Sequence, residues 1–426
     1  MRTISPETTR TQTDCNQSGR NRRTFRNYSV FGTVSNWLAG GSCVMLLATA
    51  LGMNNSMVTL IGNLPLLSFL CLPAGYWLAA KYGTVCSLRL ARWVSVAGIF
   101  LQLASILICL HSPLWSHPVL LVGTLIYYLG TGASAAMVFP IQSNICPAAE
   151  LSHYLAEIGS LSHIMSVCAL LFASGTFQLI SGLWAYFVLF TAGAFSVILS
   201  ACSIRNFHAP AILQQIVGEP LLPQIRLALR HSVCRMQLLC GFYLNLAMAT
   251  IVPACLLTAK RGCGISAAFA TVLTMLQLLS AWGMCPVWRR GAEKYGSDRM
   301  MIVGWGISLA ICVFWLVFPG GGNGWLVIPF LLSGTLTPFI STSLGDYFAR
   351  TVPPRIQKGG SWLVFIFTGG IVGLTGIGLC ALIFTAGEML HCEGMAGFRF
   401  FFLVMFLVMF PGIWLLRRLK NIAAKK

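Results

Sequence analysis

Charged residues are scarce in this chain. Only 9% of its 426 residues are Asp, Glu, Lys or Arg, whereas 57% are hydrophobic. This composition leaves too little polar surface for a soluble domain of this size. Acidic residues are especially few, with 10 against 28 basic residues and a net charge of +18. The composition therefore predicts a protein that is solvated by a lipid bilayer.

Motifs of well-known catalytic sites are also missing. The sequence has no HExxH zinc motif, no CxxC pair and no phosphate-binding P-loop. These absences argue against a zinc protease, a thiol redox site and an ATP-driven pump. Most of the 16 cysteines lie inside apolar runs, where cysteine behaves as a small hydrophobic residue. We therefore expect no enzyme activity, no metal and no cofactor.

Twelve apolar stretches have about the 20 residues that a helix needs to cross a bilayer. Helices are expected because a lipid-exposed backbone must satisfy its own hydrogen bonds, and the alternating pattern of a barrel is absent. The predicted fold class is all-α integral membrane. The expected spans are 29–52, 56–79, 90–111, 115–140, 152–177, 180–203, 236–258, 265–287, 300–319, 324–346, 360–386 and 397–416.

Lys and Arg residues are distributed unevenly between the two sides of the membrane. An even number of spans places both termini on one side. All but three of the 28 basic residues fall on that side, the exceptions being Lys260, Arg261 and Arg399. By the positive-inside rule, both termini are predicted to be cytoplasmic. The basic residues are scattered over six segments and form no single patch, which argues against nucleic-acid binding.

One short segment occurs twice. Ala80-Lys81-Tyr82-Gly83 recurs as Glu293-Lys294-Tyr295-Gly296, displaced by 213 residues, half of the chain. Each copy lies between two long apolar runs. Self-similarity at half the chain length is typical of parallel repeats in transporters. The repeat predicts two six-helix bundles related by a pseudo-two-fold axis.

The domain boundaries follow from the spans and from a long central loop. In that loop, Ile225 and Leu229 lie on one helical face opposite Arg226, as in an amphipathic interfacial helix. The polar N-terminal tail is predicted to be disordered. The expected organisation is a cytoplasmic tail (1–28), a first six-helix bundle (29–203), a cytoplasmic linker with the amphipathic helix (204–235), a second six-helix bundle (236–416) and a basic cytoplasmic tail (417–426).

Twelve spans, cytoplasmic ends, a central loop and a basic turn after spans two and eight resemble the major facilitator superfamily of secondary transporters. The resemblance covers nearly the whole chain. The family's signature turn has Gly, three residues, Asp, a basic residue, one residue and Gly. Tyr76 and Ala80 depart from it in the first copy, and Arg289 departs from it in the second. The positions that match are Lys81, Gly83, Glu293, Lys294 and Gly296.

The resemblance implies that these turns form a cytoplasmic gate. A carboxylate there can face a helix N-terminus or a basic group on a neighbouring helix, and such contacts break when the bundles rock open. The latch would be asymmetric, because Glu293 is present where the first copy has Ala80. The alternative is that both turns only orient the chain through their positive charge.

The resemblance also implies that spans one, four, seven and ten line the solute path. Those spans carry polar residues, and three of them in span four lie on one helical face. Hydroxyls commonly bond to their own helix, whereas buried amides cost more in lipid and are stronger candidates. The predicted substrate-binding residues are Asn36, Trp37, Tyr127, Thr131, Ser134, Tyr243, Asn245, Gln277, Thr335 and Thr342.

Three titratable residues, Glu157, His163 and Asp346, lie within or just inside spans. We predict that they take part in proton coupling, since a low dielectric favours the protonated form of a carboxyl group. The alternatives are a hydrated Glu157, a packing His163 and a surface pair between Asp346 and its neighbouring arginine. No Arg or Lys is expected near a midplane, which argues against polyanionic substrates.

Two further patterns concern packing. Span eleven carries a run of glycines that predicts close helix packing, with Gly373 and Gly376 one turn apart. Cys263 and Cys392 are both predicted on the side away from the termini. They could form a disulfide if the ends of spans seven and eleven are neighbours.

The expected function is secondary transport of a small neutral or weakly charged organic solute by alternating access. A proton is the default coupling ion, which makes the protein a symporter. The expected partners are that solute, the proton and membrane lipid, with a monomer as the functional unit. Short loops favour a bacterial inner membrane. The alternatives are proton-coupled export of amphipathic compounds, uncoupled facilitation, and a non-transporting scaffold or sensor on the same fold.

Overall fold

The structure is a computed structural model that describes residues 6–145, 148–207, 221–319, 323–352, 360, 362–392 and 394–423. All regular structure in these ranges is helical, and twelve segments are long and apolar enough to span a membrane. The predicted all-α membrane fold is confirmed. Numbered 1 to 12, the spans are Gly19–Ala50, Asn55–Tyr82, Thr84–Cys109, Pro113–Val138, Glu157–Leu179, Leu183–Asn206, Ser232–Gly262, Ala267–Tyr295, Ser297–Val317, Gly324–Phe348, Trp362–Met389 and Met395–Arg418.

Most spans are single α-helices, and some contain two. In the first half of the chain the α-helices are Pro6–Leu38, Gly41–Ala50, Asn55–Leu67, Leu72–Tyr82, Thr84–Cys109, Pro113–Asn144, Ala148–Leu179 and Leu183–Ser203. In the second half they are Leu221–Arg230, Ser232–Leu257, Ala267–Tyr295, Ser297–Val317, Val327–Leu336, Ser343–Thr351, Val372–Met389, Met395–Met409 and Gly412–Ala423.

The N-terminal tail differs from the disordered segment that we expected, because the first helix begins at Pro6. Extending a helix that is already nucleated costs less than starting one, and span 1 supplies the nucleus. In the linker, the helix Leu221–Arg230 coincides with the predicted amphipathic pattern. Its Ala228 is buried against Cys234, Leu238 and Leu363, so this helix packs on protein. Residues 208–220 of the linker lie outside the described part.

Several spans are interrupted. Span 1 breaks at Ala39 and Gly40, and its second helix starts at Gly41, whose φ of 46° lies in the left-handed region. The remaining interruptions are short 3₁₀ or π-helices. Such irregular turns inside helices often mark functional sites. The 3₁₀-helices are Ser68–Cys71, Ile204–Asn206 and Asn323–Leu326, and the π-helices are Thr258–Gly262, Thr337–Thr342 and Ile366–Ile371.

The chain forms two compact units. The first contains the described residues of 1–40, 71–169 and 187–219, and the second contains those of 41–70, 170–186 and 220–426. The chain passes between them next to the breaks in spans 1 and 2. Segments 41–70 and 170–186 therefore pack with the second half of the chain, although we assigned them by sequence to the first bundle. The symmetry of the two predicted bundles stays a prediction.

Spans 3 and 4 form the closest helix pair of the first unit. A Cβ on Gly98 would lie 2.4 Å from the backbone nitrogen of Tyr127, and one on Gly130 would lie 2.4 Å from the carbonyl oxygen of Ala91. No side chain fits at such contacts, so the two backbones pack directly on each other. The close contact of spans 3 and 4 holds Tyr127 of span 4 next to span 3.

In the second unit, the glycines of span 11 pack against span 2, as their spacing predicts. A Cβ on Gly373 would lie 2.9 Å from the backbone nitrogen of Leu67, and one on Gly376 would lie 3.4 Å from Oδ1 of Asn63. The hydroxyl of Ser174 also donates to the carbonyl oxygen of Ala268 at 3.4 Å. Both contacts join first-half residues to the second half of the chain.

Candidate functional site

A buried arginine joins spans 1 and 3 in the first unit. Arg92 of span 3 is only 7% exposed. Its Nε donates a hydrogen bond to Tyr28 Oη of span 1 at 3.1 Å, and its guanidinium carbon lies 4.6 Å from the centroid of the Tyr28 ring. Gly32 leaves room for this contact, because a Cβ there would lie 2.7 Å from an Nη atom of Arg92.

Arg92 lies deeper in its span than the predicted bounds of span 3, 90–111, indicated. The helix of span 3 begins at Thr84, directly after Gly83, so Arg92 is carried about two turns into the span. The sequence boundary, at residue 90, had placed it at the edge. In the part of the chain that the structure describes, Arg92 forms no ion pair with a carboxylate.

One of the predicted span 4 residues, Tyr127, lies near this arginine. Tyr127 is fully buried, lies within electrostatic range of Arg92, and its Oη is 3.4 Å from Ser35 Oγ of span 1. Ser95 Oγ donates to the carbonyl oxygen of Tyr127 at 3.1 Å and lies 3.5 Å from Thr131 Oγ1. Spans 1, 3 and 4 therefore share one hydrogen-bonded polar cluster.

Two of the predicted hydroxyls are satisfied within span 4. Thr131 Oγ1 donates to the carbonyl oxygen of Tyr127 at 3.0 Å, and Ser134 Oγ donates to that of Thr131 at 2.7 Å. Thr131 is half-buried and also approaches Ser95, whereas Ser134 is buried. Thr131 is therefore the better placed of the two to meet a solute.

Asn36 and Trp37 lie directly before the break in span 1. Both side chains are half-buried, and neither forms a side-chain hydrogen bond within the described ranges. At the break, Ala39 and Gly40 belong to neither α-helix, although the Ala39 N–H still donates to Ser35 O at 2.9 Å. A side-chain amide and an indole without a hydrogen-bond partner in the described residues are thus neighbours in the chain directly before the break.

The predicted residues of spans 7, 8 and 10 divide into two groups. Tyr243 Oη donates to the Val408 carbonyl oxygen at 2.7 Å, Asn245 Nδ2 to that of Gly241 at 2.8 Å, and Thr335 Oγ1 to that of Leu332 at 2.7 Å. These three groups already have protein partners. The half-buried Gln277 and the exposed Thr342 make no side-chain hydrogen bond in the described part.

Two buried amides in the second unit are only partly satisfied. Asn63 Nδ2 donates to Thr59 O at 2.9 Å, and Gln237 Nε2 donates to Leu344 O at 2.8 Å. Their oxygens, Asn63 Oδ1 and Gln237 Oε1, are buried without a partner in the described chain. The sequence indicated Asn63 as a further candidate for the predicted site, whereas it left out Gln237, although an amide within a span was the signal for that residue.

The predicted proton-coupling residues have different surroundings. Glu157 forms an ion pair with Arg26 of span 1, with Oε1 and Nη1 at 3.3 Å. His163 is exposed and has no partner in the described residues. Asp346 lies 3.0 Å from Nε of Arg350 and also accepts a hydrogen bond from Ser297, the first residue of span 9. The structure does not bring the three together within a unit.

The two repeated turns have the same backbone conformation. Gly83 has φ 84° and ψ 153°, and Gly296 has φ 88° and ψ 153°. These left-handed φ values explain why both copies need glycine. The sequence repeat is therefore also a structural repeat at these positions.

The side chains of the turns interact locally. The ammonium of Lys81 lies 5.1 Å from the Trp77 ring centroid, and that of Lys294 lies 5.0 Å from the Tyr295 ring centroid. Glu293 pairs with Arg289 one turn earlier at 2.9 Å. In the described part, the predicted gate residues thus make side-chain contacts only within their own helix ends.

Sequence comparison decides the family. Residues 29–377 match the family model of the Major Facilitator Superfamily. The chain belongs to this superfamily. Membership indicates a transporter and not an enzyme. A search of curated proteins found no match to the sequence.

Several solved transporter structures have the same fold as this chain, although their sequence identity to it is low. A mutant of the nucleoside transporter NupG has TM-score 0.68 and 14% identity, with 94% of this chain and 99% of that chain covered. An auto-inhibited POT family peptide transporter has TM-score 0.66 and 13% identity, covering 94% and 97%. A variant of the E. coli fucose:proton symporter FucP has TM-score 0.57 and 14% identity, covering 93% and 98%.

In this superfamily protein, a hydrogen-bonded contact that the sequence did not reveal lies on the predicted membrane side opposite the two termini. Arg261, in the π-helical end of span 7, donates to Oδ1 of Asn55 and to the carbonyl oxygen of Met53, in the turn between spans 1 and 2. A cavity of about 400 Å³ next to it is also lined by Glu388 and Cys392. The available signal was that Arg261 is one of only three basic residues on this side.

The two cysteines on this side are not joined. Cys263 and Cys392 are both free thiols in the structure. Burial raises the pKa of the Cys263 thiol, because desolvation disfavours the thiolate.

Proposed function

We propose that this protein is a secondary transporter that moves a small, neutral or weakly charged organic solute by alternating access, without ATP. The observation that carries the proposal is the position of free polar side chains at helix breaks. Asn36 and Trp37 precede the break in span 1, and Thr342 ends the π-helix of span 10. Transporters place binding sites at such discontinuous helices, where backbone and side-chain groups face a cavity.

Polar groups that have no protein partner are available to a solute. A buried or half-buried amide is usually hydrogen-bonded, so a free one in a span needs a ligand or water. The neighbouring structures are named for nucleosides, peptides and fucose, all small organic molecules. This supports an organic solute for this chain, recognised by amide, indole and hydroxyl groups.

The direct test is uptake into liposomes that contain the full-length protein. Labelled nucleosides, dipeptides and sugars form the panel, and saturable uptake of at least one is expected. Asn36→Leu should weaken the apparent affinity roughly three- to tenfold, because it removes one or two hydrogen bonds. Gln178→Leu is the matched control, since Gln178 is an exposed amide near the end of span 5.

Two outcomes would contradict the proposal. Absence of saturable uptake across the panel would favour a non-transporting scaffold on the same fold. If neither Asn36→Leu nor Gln178→Leu changed uptake, the break in span 1 would not be part of the binding site.

We further propose that transport is coupled to protons through Glu157. Its ion pair with Arg26 joins spans 1 and 5 of the first unit, and protonation would break that pair. The fucose neighbour is named as a proton symporter, which supports a proton as the coupling ion. The distribution of basic residues supports cytoplasmic termini, and short loops support a bacterial inner membrane. We also propose that the protein functions as a monomer.

A further inference from the structure

We propose that Arg92 binds the carboxylate of a monoanionic solute, with Tyr28 holding the guanidinium in position. The inference rests on the proposed transport function and narrows its substrate class from weakly charged solutes to organic monocarboxylates. The sequence argued against anionic substrates only in the polyanionic case, because no Arg or Lys was expected near a midplane.

The first argument is the electrostatic state of Arg92. The residue is 93% buried, and no carboxylate of the described chain pairs with it. A buried cation without a counter-charge is costly, and the tyrosine face offsets only part of that cost. Arg26, on the same helix as Tyr28, is already paired with Glu157. An anion from solution would supply the missing charge.

The second argument is the set of donors that remain. Nε of Arg92 is used by Tyr28 Oη. Neither Nη atom has a hydrogen-bond partner in the described residues, and neither is among the fully enclosed unpartnered atoms. The two Nη groups therefore keep free N–H donors that solvent can reach. A guanidinium presents such donors in a planar fork that matches the two oxygens of a carboxylate.

The third argument is that the site is rigidly built. Tyr28 is 1% exposed, and its carbonyl oxygen accepts a hydrogen bond from Ser200 Oγ of span 6 at 2.9 Å. Gly32 gives the guanidinium its space, and the contact of Gly130 with Ala91 fixes span 3 beside it. A positioned arginine loses less entropy when it binds an anion than a flexible one does.

The charge balance selects a monoanion. Arg92 is a single cation, and its neighbours Tyr28 and Tyr127 are neutral phenols. One carboxylate matches one guanidinium, whereas a phosphate dianion would keep an uncompensated charge.

The experiment uses purified full-length protein and matched pairs of probes: lactate with lactamide, and benzoate with benzamide. Thermal stability is measured for wild type, Arg92→Gln, Arg92→Lys and Arg89→Gln. Arg89 is the control because it is exposed on the same helix. At least one carboxylate should stabilise wild type and Arg89→Gln while its amide does not. Arg92→Gln should bind that carboxylate roughly ten- to a hundredfold more weakly, and Arg92→Lys should be intermediate.

A second measurement keeps the test valid if the Arg92 variants fail to fold. Phenylglyoxal modification of Arg92 in wild type is followed by peptide mass spectrometry. The stabilising carboxylate should slow modification of Arg92 and leave that of Arg89 unchanged. Equal stabilisation of Arg92→Gln and wild type, or no stabilisation and no protection by any carboxylate, would overturn the inference.

Failure of this inference can be separated from failure of the proposed function. Saturable uptake of a neutral solute that Arg92→Gln leaves unchanged would reject the anion site and retain the transporter. Protection of Arg92 by a carboxylate without uptake of any solute would retain the site and reject transport.

Discussion

Arg261 joins the end of span 7 to Asn55, the first residue of span 2, and also donates to the carbonyl oxygen of Met53 in the turn before it. One side chain thus closes the distance between segments that are about 200 residues apart in the chain, on the side opposite the termini. All three residues belong to the second compact unit.

The first prediction is that Arg261 and Asn55 are energetically coupled. A double-mutant cycle of Arg261→Ala and Asn55→Ala, measured by thermal unfolding, should give a coupling energy of about 0.5–3 kcal/mol. Lys260→Ala with Asn55→Ala is the control pair, because Lys260 donates to Ile265 O in its own turn at 2.8 Å. Additive effects of Arg261→Ala and Asn55→Ala would show that the link carries no energy.

The second prediction compares the stability contributions of two carboxylates, Asp346 and Glu293, on the predicted membrane side of the two termini. Asp346→Ala should destabilise the protein by about 1.5–3 kcal/mol, since Asp346 is hydrogen-bonded to Ser297 as well as paired with Arg350. Glu293→Ala should change stability little, because its pair with Arg289 is exposed. Unfolding midpoints of both variants check this, and equal effects would refute it.

The third prediction concerns the crossing of spans 3 and 4. Gly98→Ala should cost about 1–3 kcal/mol, because the new Cβ would lie 2.4 Å from a backbone nitrogen of span 4. Gly175→Ala in span 5 should be neutral or stabilising, since nothing lies within 4 Å of its Cβ. Thermal unfolding of both variants is the measurement. A Gly98→Ala protein as stable as Gly175→Ala would show that the crossing is loose.

The fourth prediction is that Glu157→Gln uncouples transport from protons. A glutamine cannot change its charge, so a pH gradient should no longer drive accumulation, while exchange of labelled for unlabelled solute continues. Glu388→Gln is the control, because Glu388 is exposed at the end of span 11. Accumulation by Glu157→Gln at the wild-type level would assign coupling to another residue.

The fifth prediction follows from the free thiol of Cys263. Burial raises its pKa, so less thiolate is present at neutral pH and alkylation by N-ethylmaleimide should be slower in folded than in detergent-unfolded protein. The folded rate should rise as the pH increases towards the raised pKa. Mass spectrometry follows the site. A need for reductant before any labelling would instead indicate a disulfide.

The fold was largely predictable because each span carries its own signal. A helix in lipid satisfies its backbone without neighbours, so twelve apolar runs predict twelve helices whatever their packing. The repeated turns were also predictable, since glycine at Gly83 and Gly296 reflects a local φ requirement. The compact units were not, because contact between 41–70 and the second half depends on how distant spans pack.

The candidate site was predictable only in part. Polar residue types in spans indicated Tyr127 and Asn36, yet the same reasoning selected Tyr243, whose hydroxyl bonds to Val408 O of span 12. The residue type does not show whether a polar side chain faces the solute path or a neighbouring helix. Arg92 was missed because the predicted start of span 3, residue 90, placed it at the edge of the span, whereas the helix begins at Thr84.

By itself, the sequence determined the membrane class, the number of spans, the asymmetry of basic charge and the two glycine turns, because composition, length and local φ act residue by residue. Only the tertiary structure decided which polar groups are satisfied and which stay free. Arg92 stacks on Tyr28, and Arg261 reaches Asn55, because of how helices from distant parts of the chain rotate and pack. Those rotations depend on all the neighbours of a helix at once.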